Sequence, residues 1–396
     1  MGTWLEQQFS KRSQGIPPSF IREILKVTSS PEVISFAGGL PNPAFFPVEA
    51  FQHSAQRVLE KEGKKALQYA VTEGDPDLRA WISQYYQEQF GMQVLPEEIL
   101  ITSGSQQALD LVGKLFIEEG DRVLVEKPTY LGAIQCLSQY QPQWHEVSLA
   151  HDGIDLSRLE EACWTHLPKM MYAIPNFQNP SGACYSEEKR THIASILHKY
   201  KVIMLEDDPY GALTFSGLYR APIKKEYKEG TLLMGSFSKI VAPGLRLGWI
   251  VAEKEVITKL TILKQASDLH SNYFSQRMLL DFLNHNALSE HIQKITSHYK
   301  SQCDWMCACI TEYFPESITY TKPEGGMFLW LDLGKIKARD LLKICMEQDK
   351  IVFVPGDPFY VSQGAGLHKA RFNFSNGSRE KIEEGIMRIG KRIKAM

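Results

Sequence analysis

The 396-residue sequence lacks several features that would assign it to a membrane, secreted or nucleic-acid-binding class. Its amino terminus has no cationic segment followed by an apolar run, and no window approaches ~18 uninterrupted apolar residues. Glu6 stands where a myristoylation signal requires serine or threonine. Lys and Arg (44) nearly balance Asp and Glu (46), so no positive excess favours nucleic acid or anionic lipid. We therefore expect a cytoplasmic protein whose partner is a small molecule or another protein.

Cysteine and histidine are present but form no pattern typical of disulfides or metal sites. Seven scattered cysteines are an odd number in a long chain, which favours a reducing compartment. Cys303, Cys307 and Cys309 lie within a helical pattern without a second Cys or His pair, and we interpret them as small apolar residues. The eleven histidines include no His-Glu-x-x-His. The sequence predicts no metal site.

The middle of the chain has the rhythm of an α/β protein. Short aliphatic runs alternate there with helical patterns, which predicts βαβ units and a mainly parallel sheet of the seven-stranded type, flanked by helices. The predicted strands are residues 98–102, 122–126, 169–174, 202–206, 232–235 and 247–251. Several of these runs are apolar throughout, as expected for strands that are covered on both faces.

The flanking segments complete a prediction of three regions. Residues 1–45 contain a Gly- and Pro-rich extended run and are expected to be an arm that packs with the small domain and over the active site. Residues 46–280 are expected to form the large, cofactor-binding domain. Residues 281–396 combine long helical patterns with short strands and predict a smaller α+β carboxyl-terminal domain.

Reactive side chains follow the predicted strands in a regular way. In an open parallel sheet the ligand lies outside the carboxyl ends of the strands, so these segments should converge on one rim. The segments are residues 103–107, 127–130, 176–182, 207–210 and 236–239.

The stretch after the predicted strand 232–235 indicates the chemistry. Lys239 can condense with an aldehyde, while Ser236, Ser238 and the planar fork of Arg246 can bind phosphate oxygens. Together they predict pyridoxal 5′-phosphate bound through Lys239. The alternative is a solvated loop lysine, and the reactive residues of the upstream segments argue against it.

Other rim residues can supply the remaining contacts to that cofactor. Ser105 and Gln106 open a helix whose free N–H groups favour a phosphate, although an ordinary helix cap would give the same pattern. Asp207 can pair with a protonated ring nitrogen, and the residues alone leave Asp208 as an alternative. Tyr210 and Asn179 can hydrogen-bond the phenolate oxygen.

Two further side chains complete the predicted site. Tyr130 can stack on the ring, although a single aromatic residue is more often part of a core. Arg371 is a charge within a strand pattern of the predicted small domain, where it can bind a substrate carboxylate and couple binding to domain closure. A structural salt bridge is the competing explanation for this arginine.

The ordered set resembles a known family over nearly the whole chain. The motifs Asn179-Pro180-Ser181-Gly182, Asp207-x-x-Tyr210 and Ser236-x-Ser238-Lys239, with Ser105, Gln106, Arg246 and Arg371, are similar to the class I/II aminotransferases of the fold-type I superfamily. Segments 37–43, 206–210 and 323–328 resemble the branch that contains 2-aminoadipate and kynurenine aminotransferases.

The resemblance carries several implications for individual residues. It implies Asp207 rather than Asp208 as the ring-nitrogen partner, and Gly39 as part of the substrate site. It implies that Tyr69 reaches the phosphate of a neighbouring subunit, so that a homodimer shares its active sites. Arg22 corresponds to a position on the amino-terminal arm that can meet the substrate side chain.

The predicted function is transfer of an amino group from an L-amino acid to a 2-oxo acid such as 2-oxoglutarate, in two half-reactions. The donor is expected to be aromatic, similar to 2-aminoadipate, or otherwise large. Lys239 is expected to act as covalent partner and as acid and base, with Asp207 and Tyr210 as the other catalytic residues. The same cofactor can also support elimination or decarboxylation, and a ligand-sensing module is a third interpretation. The chain begins too close to the predicted catalytic domain for a DNA-binding domain to be expected.

Overall fold

A computed structural model describes residues 4–14 and 32–396 of the chain. Arg22 lies outside the described residues. The described helices of four or more residues are α1 (Lys11–Gln14), α2 (Val48–Ala66), α3 (Pro76–Phe90), α4 (Ser105–Phe116), α5 (Leu131–Leu137), α6 (Leu156–His166), α7 (Glu187–Tyr200), α8 (Lys254–Gln265), α9 (Tyr273–His285), α10 (Leu288–Tyr313), α11 (Ala338–Asp349) and α12 (Arg379–Lys394).

The strands begin in the described part of the arm and continue into the last quarter of the chain. They are β1 (Ile34–Ser35), β2 (Ile99–Thr102), β3 (Arg122–Lys127), β4 (Gln143–Ala150), β5 (Gly153–Ile154), β6 (Met170–Ala173), β7 (Ile203–Asp208), β8 (Thr231–Ser236), β9 (Gly248–Val251), β10 (Thr319–Thr321), β11 (Phe328–Asp332), β12 (Ile351–Val352), β13 (Val354–Pro355) and β14 (Lys369–Asn373).

The large sheet has the strand order β2-β9-β8-β7-β6-β3-β4-β5. Strands β8, β7, β6, β3 and β4 are parallel to their neighbours in this series, whereas β9 pairs antiparallel with both β2 and β8. The predicted α/β class is confirmed. The sheet has eight strands rather than seven among the described residues, because the two-residue β5 pairs with β4 at the edge.

Alternate residues of the central strands pack into two separate cores, because successive side chains of a strand point to opposite faces. Val123 and Val125 of β3 belong to the core that includes α4, while Leu124 between them belongs to the core under α6 and α7. The sheet is therefore covered on both faces, which explains the continuous apolar runs. Strand β4 was not predicted from the sequence because half of its residues are polar and only one of the eight is buried.

Helix ends follow from local capping chemistry. The carboxylate of Asp75 accepts hydrogen bonds from the amides of Asp77 and Leu78 at the start of α3, and Gly91 ends that helix in the left-handed conformation. Ser378 caps α12 by accepting a hydrogen bond from the Lys381 amide.

Among the described helices, none is both long enough and apolar enough to cross a membrane.

The smaller sheet has the order β10-β11-β14-β13 and is antiparallel throughout. Strand β1, which lies in the arm, pairs in parallel with β12, and the ring of Phe36 stacks on Phe372 at 5.5 Å.

The predicted domain boundary at residue 280 falls inside α9, whose Asp281 pairs with Arg57 of α2. A boundary after His285 would keep this helix whole.

The three clustered cysteines lie buried on α10, as small apolar residues would. Within residues 4–14 and 32–396, no group of three or more His, Cys, Asp and Glu side chains is arranged to hold a metal ion.

Candidate active site

A cavity of about 200 Å³ opens where strands β3, β6, β7 and β8 end. Nine of the side chains predicted from sequence line it, so loops far apart in the chain do converge on one rim. The lining residues are Ser105, Gln106, Tyr130, Ile174, Asp207, Pro209, Tyr210, Ser236, Ser238, Lys239, Pro243 and Arg246.

Lys239 enters the cavity three residues beyond the end of β8 and is half-buried. Its Nζ donates a 2.6 Å hydrogen bond to the carbonyl of Gly39, which belongs to the arm. Burial, together with the positive charges of Arg371 and Arg246, lowers the pKa of Lys239 to about 8. A larger share of this amine is therefore neutral, and hence nucleophilic, at neutral pH than in an ordinary lysine.

Asp207 lies within β7 rather than after it, and its side chain is buried against the cavity. The Tyr172 hydroxyl donates a 2.8 Å hydrogen bond to Oδ2, whereas Oδ1 is buried without a partner among the described residues. Burial raises the pKa of Asp207 to about 7, the hydrogen bond from Tyr172 opposes that rise, and the charge of Asp208 adds to it. A buried acceptor without a donor is costly, so Oδ1 is suited to a cationic N–H donor from a ligand.

Asp208, the alternative left open by the residues, is already satisfied by the protein. Its Oδ1 accepts from the Asn176 side chain and the Gly211 amide at 3.0 Å each, and its Oδ2 accepts from the Tyr219 hydroxyl at 2.7 Å. Successive residues of β7 point to opposite faces, so only Asp207 faces the cavity. The geometry thus favours Asp207 for the ring nitrogen.

Another part of the cavity lining is suited to an anion. Ser105 and Gln106 are the first residues of α4, where amides lack intrahelical partners and the helix dipole is positive. Arg246 closes over this turn, with its Nη2 donating to the Ser103 carbonyl at 3.3 Å. Gly104 permits that approach, because a Cβ there would lie 2.5 Å from the Arg246 Nη2.

Asn179 links the cavity to the small domain. Its Nδ2 donates to the Tyr210 hydroxyl at 3.3 Å, while its Oδ1 accepts from Arg371 Nη1 at 2.8 Å. Burial raises the pKa of Tyr210 above its usual value, so this hydroxyl stays protonated and can donate. Asn179 therefore holds the Tyr210 phenol, which lines the cavity, and the Arg371 guanidinium in a fixed relation to each other.

Arg371 extends from β14 and is fully buried, although it has no carboxylate partner in the described part of the chain. Its Nη2 donates to the Ala37 carbonyl at 2.6 Å, and its Nε has no partner among the described residues. The guanidinium lies 4.3 Å from the ring centre of Phe328 and 5.2 Å from that of Phe359. Burial lowers the pKa of Arg371 to about 10, and a carboxylate ligand would relieve that penalty.

The set fits pyridoxal phosphate on structural grounds. The unpartnered Oδ1 of Asp207 suits a protonated ring nitrogen, the helix start with Arg246 suits a phosphate, and Lys239 suits the aldehyde. Lys239, Arg246 and the neighbouring Arg371 together outweigh Asp207 in charge, which favours a ligand with several negative charges.

Asn179 and Arg371 adjoin this cavity without lining it, whereas Tyr69 lies elsewhere. Tyr69 does not line this cavity; it is 78% exposed, and its ring packs edge-on against His270 at 5.8 Å. Arg22 is outside the described residues, so its predicted role stays a prediction. Gly39 does reach the site, through its carbonyl contact with Lys239.

Sequence reasoning missed several residues that support the site from behind. Tyr172 lies on β6 and reaches Asp207 across the strand pairing, while Phe328 and Phe359 flank Arg371. Gln178, next to Asn179 in the chain, is fully buried and joins two loops. No local sequence signal marks Tyr172, because its position opposite Leu205, which shares a face with Asp207, follows from the strand register.

Comparison with known proteins agrees with this geometry. The family described as "Aminotransferase class I and II" matches residues 33–389. Aromatic-amino-acid aminotransferase 1 of Thermococcus litoralis is 40% identical over 396 residues, covering 98% of this chain and 94% of the relative.

Two solved structures share the whole fold. The kynurenine aminotransferase of Pyrococcus horikoshii, in complex with PMP, KYN as substrate and KYA as product, is 38% identical with a TM-score of 0.94, covering 99% of this chain and 98% of that one. The α-aminoadipate aminotransferase LysN of Thermus thermophilus, complexed with N-(5′-phosphopyridoxyl)-L-leucine, is 37% identical with a TM-score of 0.92, covering 100% of this chain and 99% of that one.

Proposed function

The chain belongs to the class I and II aminotransferases, and from the names of its relatives we propose that its amino donor is an L-amino acid with a large side chain, either aromatic or similar to 2-aminoadipate. The protein is a pyridoxal-phosphate-dependent aminotransferase. We propose a 2-oxo acid such as 2-oxoglutarate as the acceptor, with the two substrates reacting in turn.

The proposal depends on one observation above others: an amine, a carboxyl group and a guanidinium from three distant parts of the chain meet at or beside one cavity. Lys239 and Asp207 line it, and two hydrogen bonds through Asn179 link Arg371 to Tyr210, which also lines it. Transfer of an amino group requires an amine that moves a proton, a carboxyl group that holds the ring-nitrogen proton and a guanidinium that binds a carboxylate.

Each of these residues has a proposed task. When bound, pyridoxal phosphate supplies a sink for the electron pair of the substrate's Cα–H bond. Lys239 Nζ takes the proton from Cα of the donor and, in the second half-reaction, gives a proton to Cα of the new amino acid, which its lowered pKa permits near neutral pH. Asp207 holds the proton of the ring nitrogen, Arg371 orients the substrate carboxylate, and Tyr210 and Asn179 donate to the phenolate oxygen.

The cofactor contacts have proposed tasks as well. Ser105, Gln106, Ser236, Ser238 and Arg246 bind the phosphate, and Tyr130 covers the ring. Two observations support these tasks: all six residues line the cavity, and Ser105 and Gln106 open a helix at its rim.

The donor class is supported by the names of the relatives, which are aminotransferases of aromatic amino acids, α-aminoadipate and kynurenine. A panel of L-amino acids, each mixed with holoenzyme in the absence of acceptor, tests it through the rate of oxo-acid formation. Aromatic and 2-aminoadipate-like donors should react fastest, and the product should stop at one equivalent per site until 2-oxoglutarate is added. Continuous ammonia release without an acceptor would instead indicate a lyase.

We propose a homodimer in which Tyr69 contacts the phosphate bound by the neighbouring subunit. Tyr69, Leu67 and Val71 are 78%, 72% and 55% exposed, an apolar cluster that a partner would cover. Mixing Lys239→Ala with Tyr69→Ala subunits tests this sharing. A heterodimer would contain one site with both defects and one intact site, so mixing should restore activity that neither variant has. No recovery, with subunit exchange demonstrated, would contradict the shared site.

We also propose a cytoplasmic location. The balanced charge supports it, as do the seven cysteines, none of which is joined to another in a disulfide. Cell fractionation with an antibody to the protein would test it.

A further inference from the structure

A buried side chain behind the cavity wall joins two of the loops that carry site residues. Gln178 is fully buried, and its Nε2 donates both to the carbonyl of Pro128 at 2.7 Å and to Glu126 Oε2 at 3.0 Å. Its Oε1 accepts from the amide and the hydroxyl of Ser181, at 2.8 and 2.6 Å. One side chain thus makes four hydrogen bonds, which uses its full capacity.

The partners belong to different loops. Pro128 lies in the loop after β3 that leads to Tyr130, while Ser181 lies in the loop after β6 that contains Asn179. The backbone of Gln178 adds two more bonds, because its amide donates to the Ala183 carbonyl at 2.8 Å and its carbonyl accepts from the Gly182 amide at 2.6 Å. The turn that contains Asn179 is therefore held by hydrogen bonds to Gln178, and the Gln178 side chain also connects this turn to the loop that contains Pro128.

Glu126 anchors this arrangement from the end of β3. It is fully buried and accepts from the Tyr185 hydroxyl at 2.7 Å and the Ile174 amide at 3.2 Å, in addition to Gln178. Three donors around one carboxyl group fix the orientation of Glu126, and Glu126 in turn fixes the position of the Gln178 side chain. Ile174 itself lines the cavity.

The position of this turn affects the substrate-binding residues through Asn179. Its amide must face Tyr210 with the nitrogen and Arg371 with the oxygen at the same time. A shift of the turn would break one of these contacts or both, and misplacement by about 1 Å can cost roughly 100-fold in rate. The neighbouring Phe177 has a positive φ of 49°, so the turn is not one that the chain adopts by default.

We propose that Gln178, held by Glu126, is a positioning residue that fixes Asn179 and the Tyr130 loop relative to each other, and thereby sets the alignment of the Arg371 guanidinium with the cofactor. This inference rests on the proposed function where its test measures activity towards substrates, but not where its test measures the binding of pyridoxal phosphate. Gln178 is not a catalytic residue, because it does not line the cavity.

The test uses Gln178→Met, which keeps the approximate volume but removes all four side-chain hydrogen bonds. Gln302→Met is the matched control: Gln302 is also buried, but it bonds to the Gly377 carbonyl and does not line the cavity. Both holoenzymes are compared by thermal unfolding, by the dissociation constant of pyridoxal phosphate, and by the ratio of kcat/KM for an L-amino acid to that for the amine lacking its carboxyl group.

Gln178→Met should lower that ratio roughly 10- to 100-fold, because Arg371 is no longer aligned, and should weaken cofactor binding. Gln302→Met should leave both unchanged even if it lowers the melting temperature. Equal behaviour of the two variants would overturn the proposal and leave Gln178 as an ordinary core residue. If the wild type failed to transaminate, the proposed function would fall, while the cofactor dissociation constants would still decide this inference.

A second variant tests the pairing with Glu126. Glu126→Met removes the oxygen that accepts from Gln178, so it should mimic Gln178→Met, and the double variant should be no worse than either single one. Fully additive losses would show that the two residues do not act as a unit.

Discussion

Replacing Arg371 with lysine should remove most of the enzyme's selectivity for a carboxylate-bearing donor. The guanidinium presents a planar fork that can bind both oxygens of a carboxylate, whereas an ammonium group acts as a point charge. In the folded chain two N–H groups of Arg371 already donate to Asn179 and the Ala37 carbonyl, and its buried Nε has no partner among the described residues. Lysine cannot keep these contacts and also bind a ligand at two points.

The size of the effect follows from the hydrogen bond that is lost. A hydrogen bond to a charged group contributes about 1.5–3 kcal/mol, and about 1.4 kcal/mol corresponds to a tenfold change. Loss of one arm of the fork should therefore lower kcat/KM for amino acids about 10- to 150-fold. Donors that lack the carboxyl group should be affected far less.

The assay compares half-reactions of holoenzyme with an amino acid and with the corresponding amine, for wild type and Arg371→Lys. Arg379→Lys is the control, because Arg379 is an exposed arginine that donates to the Ser301 hydroxyl outside the cavity. Thermal unfolding of both variants separates a folding defect from a binding defect. An unchanged preference for the amino acid in Arg371→Lys would refute the assignment of this arginine to the substrate carboxylate.

Four further predictions concern the cofactor side of the site. Lys239→Ala should still bind pyridoxal phosphate but should lose the absorbance of the covalent adduct and all turnover; near-normal turnover would exclude Lys239 as the reactive amine. In the cofactor-free protein, uptake of pyridoxal phosphate should quicken with pH and level off above about 8, rather than about 10.5, because only the neutral amine of Lys239 reacts; a stopped-flow pH series measures this. Tyr172→Phe removes the donor that lowers the pKa of Asp207, so tight cofactor binding should require a higher pH than in wild type, and an unshifted binding curve would contradict that coupling. Gly248→Ala should lower stability by about 1–3 kcal/mol and weaken cofactor binding, because its Cβ would lie 2.8 Å from a backbone oxygen; Gly244→Ala, with no atom within 4 Å of its Cβ, should do neither in denaturant titrations.

The site also shows why the assignment of a role to a residue can depend on the face of the strand that the residue occupies. Asp207 and Asp208 are chemically equivalent in the sequence, and a preference between them came from family resemblance alone. In β7 their side chains point to opposite faces, so Asp208 meets Asn176 and Tyr219 while Asp207 meets the cavity and Tyr172. Which of two neighbouring residues faces the cavity depends on how the strand pairs with its neighbours, and the two residues themselves do not indicate it.

The same limit applies to contacts between distant segments. Strand β1 pairs with β12 across more than three hundred residues, and the carbonyls of Ala37 and Gly39 thereby reach Arg371 and Lys239. Nothing in the local sequence of the arm indicates those partners, because backbone carbonyls are the same in every residue.

The α/β class and most of the cavity's residues could be predicted from local sequence patterns. Continuous apolar runs are typical of strands covered on both faces, and parallel strands end on one side, so Ser105, Tyr130, Asp207 and Lys239 were expected to meet. The direction of each side chain, the antiparallel course of β9, and the support that Gln178 and Tyr172 give from behind emerged only in the folded chain. Those features depend on register and on packing between segments far apart in the chain, which local residue patterns do not encode.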